Sequence, residues 1–271
     1  CRVMQRSVKF LGYLISGQGL AADPAKVQAI SDWPVPTQER HVRQFLGLAN
    51  FYRRFIRGFS SIAKPLNDVL KTGSGGTSKS AGRSAVEWGP EQQAAFQQLK
   101  AALCSPPVLA NYDPDLACVV TTDASEYAVG GVLEQDTPLG RRPVAYASRS
   151  LSPAEQNYGA TDRENMALVY CVSEWQHMLE GSPHPVVCYT DHQALVSLLT
   201  QEQLSRRQAR WIMALAPFNL QVQYLKGSSN VVGDPLSRRP DHEQLVSPAA
   251  VGAPEGWQLL QKFGLQQAFA D

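Results

Sequence analysis

The chain has 271 residues, of which 44% are hydrophobic and 18% are charged, and its formal net charge is +1. This composition is ordinary for a globular protein, and the length allows one large domain or two modest ones. No stretch reaches the roughly 18 consecutive apolar residues that cross a membrane, so we expect no membrane partner. No signal peptide is visible, and the first residue is Cys1 rather than Met, so we expect a fragment of a longer protein.

The charge is unevenly distributed along the chain. Residues 1–72 hold 11 Lys and Arg against 4 Asp and Glu, whereas residues 87–271 hold 12 against 20. A basic front half beside an acidic back half favours a polyanionic partner for the first. Chance surface charge is the alternative, and charge alone does not choose between the two.

The five cysteines include no Cys-x-x-Cys pair. Cys118, Cys171 and Cys188 lie in apolar runs, and we predict that they are core thiols. Free thiols of this kind suit a reducing compartment.

The front of the chain is predicted to form a hairpin and two helices. The apolar, Gly-containing run at 8–22 predicts a β-hairpin. Asp23-Pro24 predicts the start of a helix that two prolines end after Trp33. A second helix is predicted over about 38–56.

A change in composition then divides the chain. Residues 71–86 contain 8 Gly or Ser in 16 positions, which predicts a flexible linker. The predicted elements beyond it are a helix at 91–103, strands at 116–122, 128–134 and 143–148, a helix at 154–180, a strand at 186–190, helices at 192–199 and 205–216, a strand at 219–225 and a short helix from Asp234. This order predicts an α/β domain with a five-stranded mixed sheet flanked by helices, preceded by a small, mostly helical domain.

Three aspartates occupy positions where strands or loops end. Asp123 follows the apolar run 117–122, Asp191 follows the strand predicted at 186–190, and Asp234 follows a short loop. Ligands often gather at strand ends in α/β sheets. An aspartate after a strand is more often a turn or helix-cap residue, so each signal is weak by itself.

Glu164 is more informative because it shares the apolar stripe of its helix with Leu168, Cys171, Trp175 and Leu179. A carboxylate buried there is costly unless cations offset its charge. The alternative is a position near an exposed helix start. Taken together, four such carboxylates point to a pair of divalent metal ions.

Several long motifs then resemble a known family. Residues 119–239 resemble the ribonuclease H domain of gypsy-type long-terminal-repeat retrotransposons through TTDASEYAVGGVLEQ (121–135), RPVAYASRSLSPAEQNY (142–158), YTDHQAL (189–195), RRQARWIMAL (206–215) and YLKGSSNVVGDPLSRR (224–239). Residues 8–66 resemble the end of a reverse-transcriptase palm and its thumb through VKFLGYLISGQGL, DPAKVQAISDWPVP and RQFLGLANFYRRFIRGFSSIAKPL.

The resemblance implies an order of domains. These are the end of the palm with its primer-grip hairpin at 1–22, the thumb at 23–71, a Gly/Ser linker at 72–86, a connecting helix at 87–112, the ribonuclease H domain at 113–239 and a C-terminal tail at 240–271. The Tyr-x-Asp-Asp turn of the polymerase does not occur. The chain alone is therefore not expected to polymerise DNA, and the rest of the palm and the fingers would be partners.

For the site, the resemblance implies hydrolysis of the RNA strand of RNA–DNA hybrids with two metal ions. Asp123 would bridge two magnesium ions, for which manganese would substitute. Glu164 and Asp191 would complete one metal site, and Asp234 the other. The RNA strand would be selected by its 2′-hydroxyl groups and by the shape of the hybrid.

Several nearby residues have accessory roles in this comparison. His192 would contact the hybrid or the metal-bound water, with a helix-surface role as the alternative. Tyr224 and Asn230 match the family pattern ahead of the fourth acid and would shape that loop. Gly233 and Pro235 flank the fourth acid where the family generally has Ala, and this is a departure from the pattern.

The resemblance to the thumb also assigns a nucleic-acid surface. Arg53, Arg54 and Arg57 alternate with aromatic residues and are implied to face the phosphates of a template–primer duplex. A packing helix with a solvated arginine face is the alternative. The primer-grip hairpin is implied to contact the same duplex through Phe10, Gly12 and Tyr13.

Two other functions stay open at this point. One is a catalytically inactive nucleic-acid-binding remnant that serves as a structural part of a larger Pol assembly. The other is a different nuclease or an integrase with the same fold. The presence of all four acids favours the nuclease. The oligomeric state is open, with a homodimer among the partners considered, and we expect an intracellular location in cytoplasm, virus-like particle or nucleus.

Overall fold

The computed structural model describes residues 5–72, 86–190 and 204–224. The first of these ranges opens with an antiparallel sheet of β1 (Ser7–Phe10), β2 (Tyr13–Ser16) and β3 (Gly19–Ala22), in the order β1-β2-β3. The predicted hairpin is therefore two successive hairpins. Leu11 and Gly12 form the first turn with φ of 49° and 82°. Two positive φ values are typical of a type I′ turn, which favours glycine because it has no Cβ.

Helices follow this small sheet: α1 (Pro24–Ser31), α2 (Glu39–Phe51), a 3-10 turn (Arg53–Phe55) and α3 (Phe59–Thr72). Asp23 caps α1 as predicted, and its carboxylate accepts the Ala25 N–H at 3.1 Å. The predicted second helix was too long, because α2 ends at Phe51 and the chain tightens into the 3-10 turn.

Helix α3 was not predicted from the sequence, and it carries Pro65 in its interior. An interior proline costs a helix about 3 kcal/mol or more. Ala63 and Leu66 are completely buried, and Val69 is 9% exposed. Burial of this apolar face offsets the cost of the proline, and local sequence preference does not reveal it.

Helix α4 (Pro90–Cys104) matches the predicted connecting helix closely. It packs against α1 and α3, and the rings of Phe45 and Phe96 lie 4.7 Å apart. Leu99 and Leu103 are buried in the same core. The connecting helix therefore belongs to the core of the small helical domain.

The second domain contains a five-stranded sheet of β4 (Cys118–Ala124), β5 (Ala128–Thr137), β6 (Gly140–Ser150), β7 (Val186–Thr190) and β8 (Leu220–Tyr224). The strand order is β6-β5-β4-β7-β8. Strands β4, β5 and β6 pair antiparallel, whereas β4, β7 and β8 pair parallel. This arrangement confirms the predicted α/β fold with a mixed sheet.

The helices of this domain are α5 (Pro153–Gln156), α6 (Ala160–Glu174), α7 (Gln176–Leu179) and α8 (Arg206–Leu215). The single helix predicted over 154–180 was wrong in its continuity, because Gly159 caps the start of α6 and Trp175 caps its end. None of the helices in the described ranges is long and apolar enough to span a bilayer.

Helices α6 and α8 cover one face of the sheet. Leu168 and Cys171 of α6 and Ile212 of α8 share a core with Cys118 and Val120 of β4. Because side chains alternate along a strand, Val119, Thr121 and Asp123 of β4 face the opposite side. The opposite face of β5 and β6 is covered by the helical domain, through α3 and the 3-10 turn.

The three predicted core thiols are buried and free: Cys118, Cys171 and Cys188. Burial raises the pKa of Cys171 and raises the pKa of Cys188 to about 12. Both groups therefore stay protonated near neutral pH, as inert core thiols do.

The short helix α5, which precedes α6, begins with an ion-paired cap. The Arg149 guanidinium donates two hydrogen bonds to the Glu155 carboxylate at 2.8 and 2.9 Å. Glu155 also accepts the Ser152 N–H at 2.8 Å. Chiefly through Arg149, these contacts lower the pKa of Glu155 to about 2.

Replacing Glu155 by Gln is expected to lower the free energy of unfolding by about 1–2 kcal/mol at neutral pH. The magnitude is modest because Arg149 is 34% exposed. The folded carboxyl pKa is depressed from its ordinary 4.5, so this stabilisation is present above that pH and is lost as the pH falls toward about 2. Urea unfolding of both proteins across this range measures it, and a constant difference would contradict the prediction.

Candidate active site at the end of β4

Asp123 lies at the open end of the central strand. It precedes the last residue of β4 and pairs across the sheet with Gly130 of β5. Its side chain is exposed. Because side chains alternate between the two faces of a strand, Asp123 shares a face with Thr121, and this face is opposite to the one on which Val120 packs against α6. Pairing with β5 fixes the backbone of Asp123, and its exposed carboxylate is accessible to a metal ion. Both properties suit a metal ligand.

Glu164 belongs to α6, the helix that packs on the other face of the same strand. It sits in the first half of α6 and is only 9% exposed. Ala124, the last residue of β4, packs in a cluster with Met166 and Ala167 of α6. The early turns of α6 therefore lie under the end of β4, where Asp123 is found.

The apolar stripe that placed Glu164 is observed. Leu168, Cys171, Trp175 and Leu179 are all buried, although Leu179 belongs to α7 rather than to α6. The expectation that Glu164 faces the core is therefore confirmed, and the alternative of an exposed helix start is excluded.

The structure describes only some of the other predicted site residues. Asp191, His192, Asn230, Gly233, Asp234 and Pro235 lie outside the described residues. Strand β7 ends at Thr190 beside β4, because Tyr189 pairs with Thr121. Tyr224 ends β8 and is 43% exposed. Within 5–72, 86–190 and 204–224, no three Asp, Glu, His or Cys side chains form a group that could hold a metal ion.

The helical domain reaches Asp123 across a polar seam. Arg53 donates a hydrogen bond to the Ser148 carbonyl, and the Ser60 N–H donates to Ser148 Oγ at 3.0 Å. Beside these bonds is a cavity of about 60 Å³, which we call the Arg57 cleft. The residues that define it here are Arg57, Gly58, Ser61, Thr121, Asp123 and Ser148.

The three predicted phosphate-binding arginines are in different environments. Arg53 is partly buried at the seam, 5.5 Å from the centre of the Phe59 ring, and it also donates to the Asn50 side chain at 3.2 Å. Arg54 and Arg57 have exposed side chains. Arg53 therefore joins the two domains, while contact of Arg54 and Arg57 with a duplex stays a prediction.

The predicted primer-grip hairpin is docked on the end of α2. The rings of Tyr13 and Phe51 stack at 5.0 Å, and the Tyr52 hydroxyl donates to the Gly12 carbonyl at 2.7 Å. Burial raises the pKa of Tyr13. Phe10 is 58% exposed, so its side chain is accessible to a ligand.

Two groups near the site were missed by pattern analysis. The Thr121 hydroxyl is buried and has no hydrogen-bond partner among the described residues. Glu134 of β5 is 6% exposed, and burial raises its pKa against the opposing charges of Arg141 and Arg57. Thr121 precedes Asp123 by two residues on a strand, so the alternation of side chains could have shown that both lie on the same face of the sheet.

Comparison with known proteins identifies the relatives of this arrangement. Residues 88–187 match the model of the RNase H-like domain found in reverse transcriptase. The chain is 36% identical over 254 residues to the retrovirus-related Pol polyprotein from transposon opus of Drosophila melanogaster, a match that covers 93% of this chain and 25% of that protein. The homologues of this chain are retrotransposon Pol polyproteins.

A second transposon polyprotein matches a similar share of the chain. The Tf2-3 transposon polyprotein of Schizosaccharomyces pombe is 35% identical over 249 residues, covering 91% of this chain and 18% of that protein. The chain thus spans about a quarter or less of the curated Pol relatives it matches.

Solved reverse transcriptases have the same fold. The foamy viral protease-reverse transcriptase in complex with RNA/DNA hybrid matches with a TM-score of 0.66 and 21% identity, over 90% of this chain and 32% of that one. The dRH form in complex with ds DNA matches with a TM-score of 0.66 and 22% identity, over 82% of this chain and 38% of that one. These likenesses place the Pol chain in the reverse-transcriptase fold.

Proposed function

We propose that this Pol segment is a ribonuclease H that cuts the RNA strand of RNA–DNA hybrids as part of a retrotransposon reverse transcriptase. The observation that supports the proposal is a buried carboxylate on α6, the helix that packs under the end of β4, together with an exposed carboxylate on that strand. Asp123 is exposed on β4, and Glu164 is buried on the helix beneath it. A buried carboxylate beside an exposed one fits divalent cations, whose hard positive charge prefers oxygen ligands.

The proposed metal ligands are Asp123, Glu164, Asp191 and Asp234. When bound, two magnesium ions would activate the attacking water and stabilise the leaving 3′-oxygen. Asp123 pairs with Gly130 of β5, so the sheet holds the backbone that carries its carboxylate. Glu164 lies on α6, which packs against the sheet. Its backbone is therefore fixed by a helix rather than by a loop. The products would carry a 5′-phosphate.

The helical domain would hold the duplex against this site. Arg54 and Arg57 are exposed and belong to the thumb-like segment, whose basic charge gives salt-dependent affinity for phosphates. The foamy viral neighbours are described in complexes with ds DNA and with RNA/DNA hybrid, and this supports the same ligand class here. The proposed partners also include the rest of the palm and the fingers and a second copy of the chain. The proposed location is intracellular.

The test is incubation of the whole chain with a hybrid that carries a label on its RNA strand. We expect cutting of that strand with magnesium or manganese, none after EDTA treatment, and recovery when the metal is restored. RNA duplex and DNA duplex of the same sequence serve as controls and should stay intact. Tight binding of the hybrid without cutting would instead support the inactive, structural remnant.

A further inference from the structure

The Arg57 cleft brings a thumb residue into the immediate surroundings of the proposed catalytic carboxylate. Arg57 and Asp123 line the same cavity, and both side chains are exposed. A polymer that reaches Asp123 at this open edge therefore also meets the Arg57 guanidinium. Guanidinium groups bind phosphate oxygens through two parallel hydrogen bonds.

The beginning of α3 adds to the positive field of the cleft. This helix has 14 residues and starts at Phe59, so its amino end carries a partial positive charge. Gly58 and Ser61 line the cavity. The N–H groups of Ser61 and Ile62 donate to the Gly58 carbonyl at 3.0 and 3.2 Å. The amino end of α3 therefore contributes mainly a positive electrostatic potential. The Arg57 guanidinium would supply the hydrogen-bond donors to a ligand.

The Thr121 hydroxyl is an independent sign that the cleft takes a polar ligand. Thr121 is 2% exposed, lines the cavity, and its Oγ1 has no hydrogen-bond partner within the described part of the chain. Buried hydroxyl groups almost always have a partner. A ligand oxygen in the cleft would accept a hydrogen bond from the Thr121 hydroxyl.

The size of the cleft limits what this ligand is. About 60 Å³ is room for roughly four water molecules. A volume of this size suits a phosphate group. The rest of a chain whose phosphate enters the cleft would continue along the surface.

We propose that Arg57, the amino end of α3 and Thr121 form a subsite for one backbone phosphate of the hybrid beside Asp123. The identity of the polymer rests on the proposed function. In this arrangement the thumb contributes a binding residue directly to the nuclease site. The Asp123 carboxylate at the rim opposes an anion, so the charge of Arg57 is essential to the subsite.

The experiment measures fluorescence anisotropy of labelled hybrids bound to the whole chain in EDTA, which prevents metal-dependent cutting. Each hybrid carries one uncharged methylphosphonate at a different position of the RNA strand. For the wild type, we expect one modification near the cutting position to weaken binding about tenfold. Arg57→Ala should weaken binding of the unmodified hybrid by a similar factor and remove the sensitivity to that one modification.

Two further variants separate this role from a structural one. Thr121→Val keeps the branched shape and should reduce affinity a few-fold, with the loss confined to the same phosphate. Lys26→Ala removes one exposed positive charge on α1 and should leave the pattern of sensitivity unchanged. Circular dichroism shows whether each variant is folded, and Arg57→Lys, which retains the charge, should keep part of the sensitivity if Arg57→Ala is unfolded.

The inference is overturned if no single phosphate is sensitive in the wild type, or if Arg57→Ala retains the wild-type pattern. Failure of the proposed function has a different signature. In that case the hybrid binds with one Arg57-dependent phosphate, but magnesium produces no cutting.

Discussion

Replacing Asp123 by Asn is expected to lower the rate of RNA cutting in the hybrid by about a thousandfold or more, with little change in stability. Loss of a metal ligand removes several kcal/mol of transition-state stabilisation, and each 1.36 kcal/mol is tenfold in rate. Asn keeps the size of the side chain, and the exposed position on β4 requires no repacking. Single-turnover cutting of labelled hybrid measures the rate.

A matched aspartate on the neighbouring strand provides the control. Asp136 of β5 is exposed and forms a surface ion pair with Arg141 at 2.9 Å. Asp136→Asn should cut at nearly the wild-type rate, because exposed ion pairs contribute little. Equal rates for wild type and Asp123→Asn would mean that Asp123 is not a catalytic residue.

Glu164→Gln should cause a loss of cutting similar to that of Asp123→Asn, because it removes a second carboxylate from the proposed metal site. Its control is Glu174→Gln, on the exposed side of the same helix. If the two glutamate variants cut alike, the buried carboxylate serves the fold rather than the reaction.

The largest expected loss of stability comes from Gly131→Ala. A Cβ at this position would lie 2.5 Å from the Thr121 carbonyl oxygen and 2.9 Å from Cys171 Sγ. Both neighbours are held, one by the β4–β5 pairing and the other by the core packing of α6. Overpacking of a core costs about 1–3 kcal/mol, and we expect the upper end because one clash is with backbone.

Gly47→Ala is the contrasting control for that variant. Gly47 lies inside α2, and a Cβ there would have nothing within 4 Å. Alanine should therefore stabilise the protein by about 0.5–1 kcal/mol. Urea unfolding of the three proteins measures both effects. A Gly131→Ala protein as stable as the wild type would show that β5 and α6 can separate without cost.

The sequence determined those features that depend on short-range pattern. Alternating and continuous apolar runs predicted the strands, and the observed β7 at Val186–Thr190 has the bounds predicted for it. The spacing of Leu168, Cys171 and Trp175 placed Glu164 on the buried side of α6. Both signals are local, because the period of a strand or helix decides which side chains share a face.

Only the tertiary structure decided features that depend on residues far apart in the chain. Helix α3 forms around Pro65 because Leu66 and its neighbours are buried against α4 and β6, a gain that no local propensity contains. Arg53 looked equivalent to Arg57 in sequence, yet one bonds to Ser148 and the other lines the cleft with Asp123. The contact between thumb and sheet joins residues about ninety positions apart, and its energy exists only after both domains have folded and met.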